Sequence, residues 1–275
     1  MQVEHERGYL IVAQNNNDTD YVACARALAM NIRCVEPEAK ICLLTDRMVN
    51  EPVFDIVKLF PYGDMAGDSQ WKLHNDWQCF YASPFRQTIK IEADILLPTS
   101  IRHWFDICQH RDVVVTVGAR DYRNRISTVR EYRQMFDAND LPDTYNAITY
   151  WRLSPAAKIF FDTVREIFQN WDRVMETLKY GKGQQLNTDL AYAIAVRLLG
   201  EEKTTLPGSV PSLIHMKSAI NDLQTDDWTR ELIWEFADHG FRINTVQQMW
   251  PVHYYIKSFS KHMEEYYGRR ISQSI

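Results

Sequence analysis

The order of elements in the first 120 residues constrains the fold more than any other feature. Five strand-like apolar runs are set there: Tyr9–Ala13, Ile41–Thr45, Ile56–Phe60, Gln87–Leu97 and Asp112–Val117. Between the first two, Val22, Ala25, Leu28, Ala29 and Ile32 recur at intervals of three and four, which predicts a helix over 21–33. Leu73, Trp77, Phe80 and Tyr81 predict a second helix over 71–82, closed by Ser83-Pro84. Apolar runs alternating with helices imply an α/β fold, a mostly parallel sheet with helices packed on its faces.

The second half reads as more helical. Ser154-Pro155 supplies an N-cap and a first-turn proline for a long amphipathic segment reaching about Tyr180. Its apolar stripe, Phe160, Val164, Ile167, Phe168, Trp171, Val174 and Leu178, is core rather than a cofactor surface. Asn187 or Thr188 caps a shorter helix ended by Gly200, and Thr225-Asp-Asp opens another ended by Gly240. With no repeat, low-complexity tract or linker, the expectation is one domain over 1–275.

Composition narrows the class. The chain is 45% hydrophobic and 24% charged over 275 residues, an ordinary globular balance. No apolar stretch approaches the roughly 18–20 residues of a bilayer span, and no signal-type apolar segment follows the polar first residues. The five cysteines (24, 34, 42, 79 and 108) are odd in number and include no Cys-x-x-Cys pair. They read as reduced thiols and imply a cytoplasmic protein. A net charge of −5 argues against a wholesale nucleic-acid coat and leaves room for a local basic patch.

Familiar anion cradles are missing. No Gly-x-Gly-x-x-Gly follows the first strand, and Gly181-Lys-Gly183 lacks P-loop spacing. Another way to hold an anionic ligand is a metal on carboxylates, and Glu92-Ala93-Asp94 offers one. It follows the apolar strand Ile89-Lys-Ile91, and residues two apart on a strand point to one side. Two hard oxygen donors beside a small residue suit Mg²⁺ or Mn²⁺, which keep positions open for phosphate oxygens.

The run from Lys72 through Leu97 resembles the core of GT-A-fold glycosyltransferases, particularly the glycogenin-like retaining family eight. Gly8–Gln14 resembles that family's first strand, Thr45-Asp46 the end of its second, and His103-Trp-Phe-Asp106 the segment after the metal motif. Tyr145-Asn146 with Thr149-Tyr-Trp resembles the Phe-Asn-Ser-Gly strand. Asn187-Thr-Asp189-Leu is similar to the Asp-Gln segment, and Ile214-His215-Met-Lys217 to the late histidine motif. Glu92 stands where the first aspartate is usual, and Ala147-Ile148 where Ser-Gly is usual.

The resemblance implies a nucleotide-binding half over about 1–120, and an acceptor side with C-terminal helices over about 121–275. It implies a nucleotide-sugar donor, most simply a UDP-sugar, on Ala13, Gln14, Asn15, Asp46, Lys72, Glu92, Ala93, Asp94 and Lys217. It places Mn²⁺ or Mg²⁺ on Glu92, Asp94 and a late histidine, His215 in preference to the alternate His253. Asp189, Asn146 and Lys72 fall at the reacting sugar, and the stereochemistry is retaining.

The acceptor is open. Arg120, Arg123, Arg125, Arg130 and Arg133, interleaved with Tyr122 and Tyr132, form either a solvated face or a grip on DNA bearing a hydroxymethylated base, as in bacteriophage DNA-modifying enzymes. A carbohydrate, a lipid-linked saccharide or a protein is the other acceptor class. A non-catalytic nucleotide-sugar binder is the alternative of a different kind.

Overall fold

The computed structural model describes residues 3–127, 133–207, 210–237 and 240–273. Strands β1 (His5–Val12), β2 (Ile41–Thr45), β3 (Ile56–Leu59), β4 (Phe85–Glu92), β6 (Val113–Val117) and β7 (Thr144–Arg152) form one six-stranded sheet in the order β3-β2-β1-β4-β7-β6. β5 (Ile95–Leu96) leaves that sheet for a smaller one. Only β7 runs against its neighbours, so the sheet is mixed and mostly parallel, as the alternation of elements predicts.

Strand parity sorts the core into two layers. Tyr9, Ile11, Ile41, Leu43, Ile89 and Ile91 pack with the helix Tyr21–Val35 on one face. Leu10, Cys42, Leu44 and Val115 face the helices Pro155–Gln169 and Thr188–Leu199 on the other. Asp20 caps the first of these helices, Ser154 the second and Asn187 the third, each accepting a backbone N–H.

Three helical expectations change. Residues 71–82 are not one α-helix: Lys72 takes a left-handed φ of 53°, Leu73–Gln78 is a 3₁₀ turn, and α-geometry holds only over Cys79–Ala82. The side chains of Asn75 and Gln78 reach the backbone N–H groups of Met65 and Tyr62, which ties the turn to the preceding loop. The long helix breaks at Asn170 into Pro155–Gln169 and Trp171–Glu176. Among the described residues of 225–240 the only helix is the short Trp228–Glu231. Past it, Trp234 and Phe236 lie two apart on a strand with Glu235 between them, and both pack on the C-terminal helix Phe259–Gln273.

β8 (Ile214–His215) precedes this region, whose strands β9 (Trp234–Ala237), β10 (Gly240–Ile243) and β11 (Val246–Gln248) form an antiparallel sheet. β12 (Val252–His253) then lies between β5 and β8, so residues distant in sequence meet beside the end of β4. The helix Phe259–Gln273 anchors this closure on Tyr21–Val35, where Arg26 pairs with Glu264 at 3.1 Å. Among the described residues no helix is long and apolar enough to cross a membrane, and all five cysteines are free thiols.

Candidate functional site

β1 and β4 are parallel neighbours, and both end at one cleft, where Val12 pairs in register with Glu92. This cleft, of about 200 Å³, is lined by Gln14, Lys72, Asp76, Lys90, Glu92 and Asp94 from the sheet side, and by His253, Tyr255 and Lys257 from the C-terminal segment. Ligands of open α/β sheets bind outside the carboxyl ends of the strands, and the cleft occupies that position.

Glu92, Asp94 and His253 converge there, each offering a ligand atom within 4.8 Å of the others. His253 Nε2 lies 2.7 Å from Asp94 Oδ2 and 3.9 Å from Glu92 Oε2. The Lys257 ammonium also donates to Asp94 Oδ2. Burial alone would raise the Asp94 carboxyl, but His253 and Lys257 hold it far below the usual carboxylate range. Burial pushes the His253 imidazole down, yet Asp94 and Glu92 leave it above its ordinary value. Glu92 is pushed up to about 6, first by desolvation and then by the Asp94 charge, against the pull of His253.

This donor set fits a divalent ion. Two carboxylates and an imidazole give mixed oxygen and nitrogen donors suited to Mn²⁺, and to Mg²⁺ through the oxygens. Nδ1 of His253 is buried without a hydrogen-bond partner among the described residues, so none of these ties the ring through its far nitrogen. His253 has to release its proton and its Asp94 bond before it can act as a ligand.

The geometry reverses the preference between the two late histidines. β12 and β8 pair in parallel with His253 opposite His215, and it is His253 that faces the carboxylates. His215 lies one strand further out, its ring centroid 4.6 Å from that of His253. It is buried at 8% exposure and lines a second, smaller cleft with Tyr145, Ala147, Asn187, Thr188 and Asp189. Leu73, Glu92 and His253 belong to both clefts, so the two adjoin.

Asp189 is held firmly. Its Oδ1 accepts the N–H of Asn146 at 2.7 Å, and its Oδ2 takes the Arg133 guanidinium at 2.5 Å. Arg133, 1% exposed, also bonds Asp143 at 2.5 Å and lies over the Tyr145 ring. Asn146, expected at the sugar hydroxyls, is fully buried and is not among the residues lining either cleft. Its Nδ2 donates to Asp76 at 2.9 Å and its Oδ1 accepts from Thr149 at 3.1 Å. Asp76 also takes the Tyr192 hydroxyl and the fully buried Lys90 ammonium.

The other sequence candidates divide. Gln14 and Ala93 line the large cleft, as does Lys72, whose ammonium donates to the Gly67 carbonyl. Ala13 is buried in the sheet, with its N–H on Leu44. Asn15 accepts the Val22 N–H at the start of the first helix, and Asp46 is exposed beyond β2. None of these three is among the lining residues. Lys217 approaches from outside, its ammonium 5.4 Å from the centre of the Tyr255 ring, which it shares with Lys257 at the same distance.

The arginine segment is spent largely on internal contacts. Arg120 donates to Ser212 and the Asn124 carbonyl and stacks on Trp250; Arg125 pairs with Asp121, and Arg123 lies over Tyr122. Arg130, Glu131 and Tyr132 lie outside the described residues. Sequence reasoning missed Lys257, the Asp76–Lys90 pair and the grip of Arg133 on Asp189. A signal existed only for Lys257, which follows His253 by four residues in a run of aromatic and basic residues.

No protein-family model and no curated protein matches the sequence. Solved structures do. One is the galactosyltransferase LgtC in complex with donor and acceptor sugar analogues, 13% identical, with a TM-score of 0.53 and 95% of each chain covered. Mouse xyloside xylosyltransferase 1 in its apo form is 12% identical, with a TM-score of 0.45, covering 74% of this chain and 85% of that one. The bifunctional glycosyltransferase WbbM is 13% identical at a TM-score of 0.47; the match covers 77% of this chain and 40% of that one. At such identities the likeness speaks to architecture, and the architecture is the GT-A fold.

Proposed function

We propose that this chain is a metal-dependent glycosyltransferase that moves a sugar from a nucleotide-sugar, most simply a UDP-sugar, with the retention that the sequence resemblance implies. The observation that carries the reading is the convergence of Glu92, Asp94 and His253 at the carboxyl end of β4. The GT-A fold supports it by placing that cluster where such folds take their ligands.

In this reading Glu92, Asp94 and His253 hold Mn²⁺ or Mg²⁺, which when bound neutralises a diphosphate leaving group. The chain's own residues do the rest. Lys257, beside Asp94, sets a second positive charge at the same wall, and Lys72 and Lys217 add charge at the rim. These are fixed cations aimed at charge that develops as the glycosidic bond breaks. Gln14, just past the end of β1, lines the cleft where the nucleoside would lie. Asp189, clamped by Arg133 and the Asn146 N–H, presents a carboxylate of fixed orientation to the cleft where the sugar would lie.

For the acceptor, a carbohydrate or protein hydroxyl is the reading we adopt. The DNA alternative drew on arginines interleaved with Tyr122 and Tyr132; of these, Arg120 is engaged with Ser212 and Trp250, and Arg125 is paired with Asp121.

The test is a thermal-shift screen of nucleotide-sugars with and without Mn²⁺, followed by donor hydrolysis. A ligand specific to the folded state raises apparent stability. Mn²⁺-dependent stabilisation by one nucleotide-sugar, with slow hydrolysis of it, is expected. Stabilisation without hydrolysis or transfer would make the chain a binder rather than an enzyme, and no stabilisation by any donor would remove the reading.

A further inference from the structure

His215 is the one sequence-selected histidine that the proposed metal cluster leaves unused. Its backbone is fixed from both sides. The His215 N–H donates to the Arg120 carbonyl at 3.0 Å, and its own carbonyl accepts the Asn221 side chain at 2.7 Å. Alternation along the chain sends Ile214 and Met216 into the apolar cluster around Trp228 and Tyr254, and turns the imidazole the other way. There its ring lies 5.8 Å, centre to centre, from that of Tyr145 and lines the smaller cleft together with Asp189.

Both ring nitrogens of His215 are buried, and neither has a hydrogen-bond partner among the described residues. A buried imidazole without partners is costly, because folding strips it of water and returns nothing. A neutral ring has one N–H to donate and one nitrogen to accept, the complement of a hydroxyl, which does both.

We infer that His215 reads a hydroxyl of the transferred sugar: the small cleft takes the glycosyl group of the donor, and the imidazole recognises its hydroxyl pattern. This rests on the proposed transferase reading and assigns His215 to sugar specificity instead of metal binding. The cleft adjoins the large one across Glu92 and His253, so a sugar attached to a diphosphate in the large cleft falls within reach of His215. Asp189, which lines the small cleft too, would contact the same sugar.

The experiment compares UDP with UDP-glucose and UDP-galactose, each with Mn²⁺, by calorimetry on the full-length protein and on His215→Phe. Phenylalanine keeps the ring's shape and removes both orphan nitrogens, so the variant is expected to fold with a melting temperature equal to or above that of the wild type. UDP affinity with Mn²⁺ is expected to stay unchanged. The additional affinity that the better of the two sugars confers over UDP should fall by about three- to ten-fold, the equivalent of one neutral hydrogen bond. His215→Gln, which keeps a donor and an acceptor, should recover part of it.

Three results would overturn the inference. Loss of Mn²⁺-dependent UDP binding in His215→Phe would make His215 a metal ligand. An unchanged sugar increment in a folded His215→Phe would leave the imidazole without a role at the sugar. No binding of UDP or either UDP-sugar to the wild type would remove the UDP-donor reading and this inference together, and so is distinguishable from the other two.

Discussion

The molecule contains two Asp–Lys pairs that line the same cleft and behave as opposites. Under the floor, Lys90 is fully buried on Asp76, and that pair is closed on itself. Asp76 also accepts from Asn146 and Tyr192, and Lys90 also donates to the Asn146 carbonyl at 3.2 Å. At the mouth, Lys257 keeps 24% of its side-chain surface and pairs with Asp94. Both hydrogen bonds to the Asp94 carboxylate fall on Oδ2, so the other oxygen carries none among the described residues. The difference is spare bonding capacity. A buried ion pair with both carboxylate oxygens engaged is structural; one with an oxygen to spare is where a ligand can enter.

Breaking the inner pair gives the largest expected effect. Asp76→Ala leaves Lys90 buried and charged without its counter-ion, and urea unfolding should show a loss of about 3–5 kcal/mol. Replacing both partners, as in Asp76→Leu with Lys90→Met, should return much of it. A single variant as stable as the wild type would erase the contrast between the pairs.

Asp94→Asn comes next. Transfer and donor hydrolysis should fall at least about 100-fold, roughly 2.7 kcal/mol of barrier, in a chain that still folds but has lost the stability its ion pairs with His253 and Lys257 supply. Unaltered Mn²⁺-dependent turnover would take Asp94 out of the site.

The pH dependence of ion binding sharpens the outer cluster. Glu92 is pushed from 4.5 up to about 6, so within that window the folded chain holds its proton more tightly than the unfolded chain. Its contribution to stability therefore falls as pH rises through the window. Mn²⁺ competes for the same carboxylate, and its affinity should climb as pH passes about 6. Calorimetric titrations near pH 5 and pH 7 check this; equal affinities would exclude Glu92 as a ligand.

The smallest effect is expected at the arginines. Arg125 is 64% exposed on Asp121, and Arg125→Ala should cost less than about 1 kcal/mol, with donor hydrolysis unchanged. Duplex DNA should bind without a steep salt dependence. A log–log slope of about −3 to −5 that flattens on removing Arg123 and Arg125 would bring back the DNA acceptor.

The sheet and the Glu92–Asp94 motif were legible because both rest on local patterns: apolar runs of strand length, and parity two residues apart. The second wall of the site was not. Choosing His253 over His215 depends on β12 entering between β5 and β8, which brings His253 to Asp94 from 159 residues away and leaves no periodicity to read. Lys90 was invisible for another reason. A lysine inside a strand reads as a solvent-facing position, and only the Asp76 carboxylate, brought in by the 3₁₀ turn, makes its burial tolerable. The helix expected over 225–240 failed where Trp234 and Phe236 took the strand period.

The small sheet β5–β12–β8 also sets a timetable. The six-stranded sheet is complete once residue 152 has been made, whereas His253 and Lys257 come from the far end of the chain. Contacts of such long sequence separation form late, and chains emerge N-terminus first. A nascent or C-terminally clipped chain can thus own a finished sheet and still lack one wall of its cleft. Competence would arrive in a single late step, when the helix Phe259–Gln273 docks on Tyr21–Val35 and locks the closing strand in place.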